Sequence, residues 1–144
     1  MPSSQLNSVK KALNSVNKNW AFTGEVAELV HRLAFGRMNP RNAKFKEIHV
    51  VIPSNKNYKF QNALFKKGYT VNTTKSGRRF IYMKPPEGKK RPVLLFMKNT
   101  MPKTTTYKEG EKFVAISELP NTSNNVINMK KLVRIIQNLQ NNIN

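Results

Sequence analysis

Residues 20–36, WAFTGEVAELVHRLAFG, decide the reading of this chain. Trp20 to Thr23 is a short apolar strand, and Gly24 makes a turn. Val26, Ala27, Leu29, Val30, Leu33 and Ala34 then recur at helical spacing until Gly36. Upstream, Leu6, Val9, Leu13 and Val16 mark an amphipathic helix after Ser3 or Ser4, within residues 1–19. Downstream, the loop 36–46 leads to Glu47–Ile52, which alternates and then turns continuously apolar, as a central strand does. Phe60, Ala63 and Leu64 predict a helix over 56–67 with Gly68 at its C-terminal cap. A hairpin follows, with Tyr69–Thr73 and Arg79–Lys84 joined at Lys75-Ser76-Gly77. The segment PPEGKKRP links it to the apolar strand Val93–Met97. Residues 99–111 are polar and contain proline, so they read as loop, and Phe113–Ile116 as a short strand. Val126, Ile127, Met129, Leu132, Val133, Ile135, Ile136 and Leu139 predict a last helix over 125–142. The expectation is α+β: a small mixed sheet flanked by helices in a single domain, with residues 20–119 as its core.

Charge narrows the partners. Among 144 residues there are 26 Lys+Arg against 7 Asp+Glu, a formal +19, and every acid is a glutamate. The excess is uneven: +5 over residues 1–45, +11 over 46–99 and +3 over 100–144. A solubility surface mixes both signs, and here the interleaving acids are missing. Self-repulsion of this size is relieved by a polyanion, with nucleic acid the leading partner. Nineteen asparagines and no aspartate add to the bias. Zero cysteines exclude a disulfide scaffold, a thiolate metal site and a cysteine nucleophile. No apolar run approaches the roughly 20 residues of a membrane span, and the start MPSSQLNSVKK lacks the apolar stretch of a signal peptide. These features predict no membrane association and an intracellular protein, or one packed inside a particle made in the cell.

Three short patterns carry a family resemblance. Phe22-Thr23-Gly24-Glu25 ends an apolar strand before a helix, Glu47-Ile48-His49-Val50-Val51-Ile52 forms the next strand, and Leu64-Phe65-Lys66-Lys67-Gly68-Tyr69 ends the following helix. With the closing Phe113–Leu119 segment they span about residues 20–136 and resemble the nucleotidyltransferase fold of the polymerase-beta-like superfamily. That resemblance implies a Gly-Ser turn, an Asp–apolar–Asp strand and a third acid on a neighbouring strand, which together hold magnesium against nucleotide phosphates. In this chain Glu25 stands in place of the serine, His49 replaces one aspartate, and Val93–Phe96 offers no acid. Glu47, flanked by Lys46 and His49, is poorly suited to hold a hard cation, which prefers several oxygen ligands. No catalytic residue, metal or cofactor is therefore expected. His31 and His49 lack a partnering nucleophile pattern, and no phosphate-cradling glycine loop is present.

The function expected is largely sequence-independent binding of nucleic acid, DNA in preference to RNA. The candidate contacts are Lys66, Lys67, Lys75, Arg78 and Arg79 as one cluster, and Lys84, Lys89, Lys90 and Arg91 as a second. A third comprises Arg37, Arg41, Lys44 and Lys46 beside the former active-site cleft. Tyr69, Phe80 and Tyr82 are readable either as core or as stacking surfaces for bases. The last helix is readable either as internal packing or as a surface for self-association. Small size, high charge and lost acids suit a protein that coats or condenses DNA, and the Asn/Lys-rich composition resembles that of proteins from A/T-rich large DNA viruses. A genome-packaging protein of a virion core, or of the host cytoplasm or nucleus, is the specific version. The alternatives are an RNA-binding or ribosome-associated protein and a divergent nucleotidyltransferase.

Overall fold

In the computed structural model of the chain, which describes residues 4–36, 44–107, 112–115 and 118–119, a helix, a strand, a helix, a strand and a helix precede five further strands. Helix α1 (Ser4–Asn14) buries Leu6, Val9, Ala12 and Leu13 along one stripe, the i, i+3, i+7 spacing of a core-facing helix. Its buried Gln5 donates from Nε2 to the Arg91 carbonyl at 2.6 Å and to the Tyr69 hydroxyl at 2.9 Å. That pairing anchors the start of the helix to the 85–92 loop. Trp20 falls outside the strand expected to begin with it, because its Nε1–H turns back to Asn14 Oδ1 at 2.9 Å. Strand β1 (Ala21–Thr23) then leads directly into α2 (Gly24–Ala34).

Strand β2 (Ile48–Pro53) is followed by a single 3-10 turn, Ser54–Lys56, and α3 (Asn57–Phe65). Helix α3 closes on a paired cap: the Gly68 N–H bonds to the Phe65 carbonyl and the Tyr69 N–H to the Leu64 carbonyl. Gly68 has φ +96, the left-handed conformation that this cap requires. The expected hairpin forms from β3 (Thr70–Val71) and β4 (Phe80–Lys84). Its first arm is shorter than the sequence suggests. Asn72 Oδ1 accepts from the N–H groups of Thr74 and Lys75 and from the Thr74 hydroxyl, folding the chain out of the strand. Strand β5 (Val93–Lys98) comes next. The loop expected over 99–111 is corrected in part, since Thr104–Thr106 forms strand β6 against β7 (Lys112–Val114). A run of three β-branched threonines suits an edge strand once a partner is available. The helix expected over 125–142 lies outside the described residues.

The strands of the described residues make one mixed sheet in the order β3-β4-β5-β2-β1-β7-β6. β2 pairs antiparallel with β1 and parallel with β5. The pleat divides the side chains between two faces. Phe22, Ile48, Val50, Ile52, Met83, Leu95 and Phe113 lie on one face and are buried, in a core shared with Val9, Leu13, Phe60 and Leu64. The opposite face carries Thr23, His49, Phe80, Tyr82 and Phe96, all half-buried. No helix among the described residues is long and apolar enough to cross a membrane.

His31 joins α2 to the far edge of this sheet. It is buried, and its Nε2 lies 2.9 Å from the Val114 carbonyl while Nδ1 meets the Tyr107 hydroxyl. A carbonyl only accepts, so Nε2 carries the proton and Nδ1 accepts from Tyr107. Desolvation lowers the pKa of His31 below the usual imidazole value, with the hydrogen bond to Val114 acting in the opposite direction. The unfolded chain thus binds this proton more tightly than the folded one. The stability contributed by neutral His31 is present above about pH 6.5 and is lost as pH falls. Urea unfolding midpoints are expected to drop on acidification from about pH 7 to pH 5. In His31→Gln, whose amide offers a donor and an acceptor, that part of the profile should flatten.

Candidate nucleic-acid interface

Strand direction sorts the cations. β2 and β5 run the same way, so one end of the sheet receives both of their C-termini together with the 72–79 turn of the hairpin. Lys75, Arg78, Arg79 and Lys98 lie at this upper end. The lower end receives the segments leading into β2, β3 and β5, and with them Lys44, Lys46, Lys66, Lys67, Lys84, Lys89 and Lys90. The first cluster read from sequence is therefore divided. Lys66 and Lys67 are carried away from Lys75, Arg78 and Arg79 by the length of α3, nine residues or roughly 14 Å. They join the second cluster instead: a Cβ on Gly68 would stand 2.8 Å from Pro86, so the α3 cap touches the loop that bears Lys89 and Lys90. Arg37 and Arg41 lie outside the described residues.

Arg91 differs from its neighbours. Its Nε donates to the Phe45 carbonyl at 3.0 Å, and its guanidinium lies 4.3 Å from the centre of the Phe45 ring. This half-buried arginine ties the start of β5 to the segment before β2. Lys84, Lys89 and Lys90 are exposed.

At the upper end, Arg78, Arg79 and Lys98 line a groove of about 450 Å³ with Ser54, Met97 and Asn99, and no acidic side chain is in its wall. The Met97 N–H donates to the Arg79 carbonyl at 2.8 Å, which fixes the hairpin turn beside the end of β5. Like charges held this close repel one another unless an anion sits between them.

The four positions carried by the family resemblance meet at the lower part of the half-buried face. Gly24 has φ +60, and a Cβ there would lie 2.4 Å from His49 Nδ1. The turn into α2 therefore passes directly over the imidazole. Glu25 Oε2 accepts from the Lys46 N–H at 2.9 Å, and Glu47 Oε1 lies 3.2 Å from His49 Nε2. Both carboxylates thus have partners within the chain. Level with His49 and Val51, the neighbouring strand places Leu94 and Phe96. Among the described residues, no group of three or more His, Cys, Asp or Glu side chains is arranged to hold a metal ion.

A second cavity, about 360 Å³, opens on this face between Gly24, His49, Val51, Phe96, Val114 and Glu118. Lys98 lines it too, so one lysine borders both cavities. Comparison with known proteins finds no family model, no curated protein and no solved structure that matches the chain.

Sequence reasoning missed Lys98 and Phe96. Both sit on β5, which reads as a buried apolar strand. The available signal was a charged residue closing an otherwise apolar strand, Val93–Lys98. Tyr69 proves to be core, since it is buried and accepts from Gln5.

Gly24 and Gly36 both have positive φ, but nothing lies within 4 Å of a Cβ placed on Gly36. Gly36→Ala should cost about 1 kcal/mol for the backbone conformation alone. Gly24→Ala should cost about 2 kcal/mol or more, and adding His49→Ala should restore part of the difference. Chemical denaturation of the three variants measures this.

Proposed function

We propose that this chain is a non-catalytic nucleic-acid-binding protein that coats or condenses DNA by gripping backbone phosphates with little regard to sequence. The observation that carries this reading is the acid-free groove of Arg78, Arg79 and Lys98 at the ends of β2 and β5. Lysine neutralises a phosphate as a point charge and arginine grips it with paired N–H groups. The lower-end lysines, Lys66, Lys67, Lys84, Lys89 and Lys90, offer a second run of positive charge on the same molecule. Two such surfaces suit a protein that bridges two stretches of a polyanion.

The fold is read here as similar to that of the nucleotidyltransferases. β1 antiparallel to β2, β2 parallel to β5, and a glycine turn pressed against His49 support the likeness. The absence of catalysis is supported by Glu25 and Glu47 being bonded within the chain, and by Leu94 and Phe96 standing where a third acid would be needed. Preference for DNA and a place in viral genome packaging rest on the Asn/Lys-rich composition.

Fluorescence anisotropy over a range of salt, with matched duplex DNA and duplex RNA, tests the proposal. The logarithm of affinity should fall linearly and steeply with the logarithm of salt, and scrambling the sequence should change little. Replacing Arg78, Arg79 and Lys98 together by Ser should reduce the slope by about 3 and leave folding intact. A shallow slope, or no binding at low salt, would overturn the reading. So would magnesium-dependent nucleotide incorporation that Glu47→Gln abolishes.

A further inference from the structure

The two cavities share a wall, and their chemistries differ in a specific way. One is a groove of cations, Arg78, Arg79 and Lys98. The other is a mostly apolar hollow in which Phe96 and His49 stand with ring centroids 5.1 Å apart. Phe80 extends the aromatic surface, 5.4 Å from Phe96 with the rings tilted by 31°. Tyr82 lies beyond it on the same face, with Lys75 Nζ 5.2 Å from its ring. Half-buried aromatic rings on one sheet face, beside the buried Val51 and Leu94 and bordered by cations, offer flat apolar contact and charge neutralisation side by side.

From this juxtaposition we infer that the face bearing His49, Phe80, Tyr82 and Phe96 binds single-stranded nucleic acid, with bases stacked on the Phe80, Tyr82 and Phe96 rings and the adjoining phosphates in the Arg78–Arg79–Lys98 groove. The inference rests on the proposed nucleic-acid function and narrows its partner. A nucleotide carries a planar apolar base a few ångströms from an anion, and Lys98 stands between a hollow suited to the first and a groove suited to the second. In a duplex the bases are stacked on one another and present no free face. Of the two forms of the polymer, the single strand satisfies both cavities. Charge complementarity selects this occupant, because Lys75, Arg78, Arg79 and Lys98 rim the face. Glu118, at the edge of the hollow, supplies an acceptor suited to a base amino group.

The test compares three probes of equal length on the full chain at fixed moderate salt: oligo-dT, an abasic oligonucleotide with the same phosphates, and a duplex. Oligo-dT should bind about tenfold more tightly than the abasic strand. It should also bind more tightly than the duplex. Phe96→Leu, which keeps an apolar side chain in the strand, should remove most of the advantage over the abasic strand without changing abasic binding. Equal affinity for oligo-dT and the abasic strand would overturn the inference while leaving the phosphate reading intact. Absence of binding to all three, both at that salt and in a repeat at low salt, would sink that reading as well. The wild-type comparison decides the matter even if Phe96→Leu fails to fold. A Phe96→Leu change that shifts the sedimentation of the free protein but leaves binding untouched would assign the face to a second copy of the chain, and would also overturn the inference.

Discussion

Strand β2 is hydrogen-bonded on both sides, to β1 and to β5, and its pleat must satisfy two environments at once. Ile48, Val50 and Ile52 enter the helix-covered core, while His49 and Val51 face the opposite way. A register slip of one residue would put His49 into the helix-covered core and move Ile48, Val50 and Ile52 to the other face, against neighbours they do not now pack on. The register of β2 therefore places Phe96 level with Val51, Leu94 level with His49, and Lys98 at the mouth of the groove. Phe96 and Lys98 take their positions on the candidate interface from this one strand.

The electrostatics follow from how few acids the chain has and where they are used. Glu25 accepts from the Lys46 backbone, Glu28 pairs with Arg32 one turn along α2, and Glu47 meets His49. Glu25 fastens the start of α2 to the segment before β2, while Glu28 and Glu47 pair with residues two to four positions along their own segments. None of them lies in the wall of the Arg78–Arg79–Lys98 groove. Strand direction then gathers the uncompensated charge at those two ends, so that the repulsion within each group favours binding an extended anion.

The far edge of the sheet depends on a different contact. Val114 and Tyr107 are both bonded to His31, and the rings of Phe113 and Phe22 stack at 5.7 Å. These contacts hold β7 beside β1 although only one residue pair is in register between them. A buried neutral imidazole is thus part of the wall that ends at Val114, on the margin of the aromatic hollow.

Periodicity and turn chemistry determined the three helices of the described residues, the central strand, the Gly68 cap and the α+β class, because each depends on neighbours within a few residues. The same local signals indicated that residues 46–99 carry most of the charge. Local signals failed where a side chain or a distant strand competed. Asn72 shortened β3, β7 recruited Thr104–Thr106, and Arg91 turned to Phe45. Only the tertiary structure decided which cations share a surface, since that depends on the direction of β2, β4 and β5 and on the length of α3. It also decided that Phe96 and Lys98 belong to a surface at all, because a strand's second face is exposed or buried according to what packs against the whole sheet.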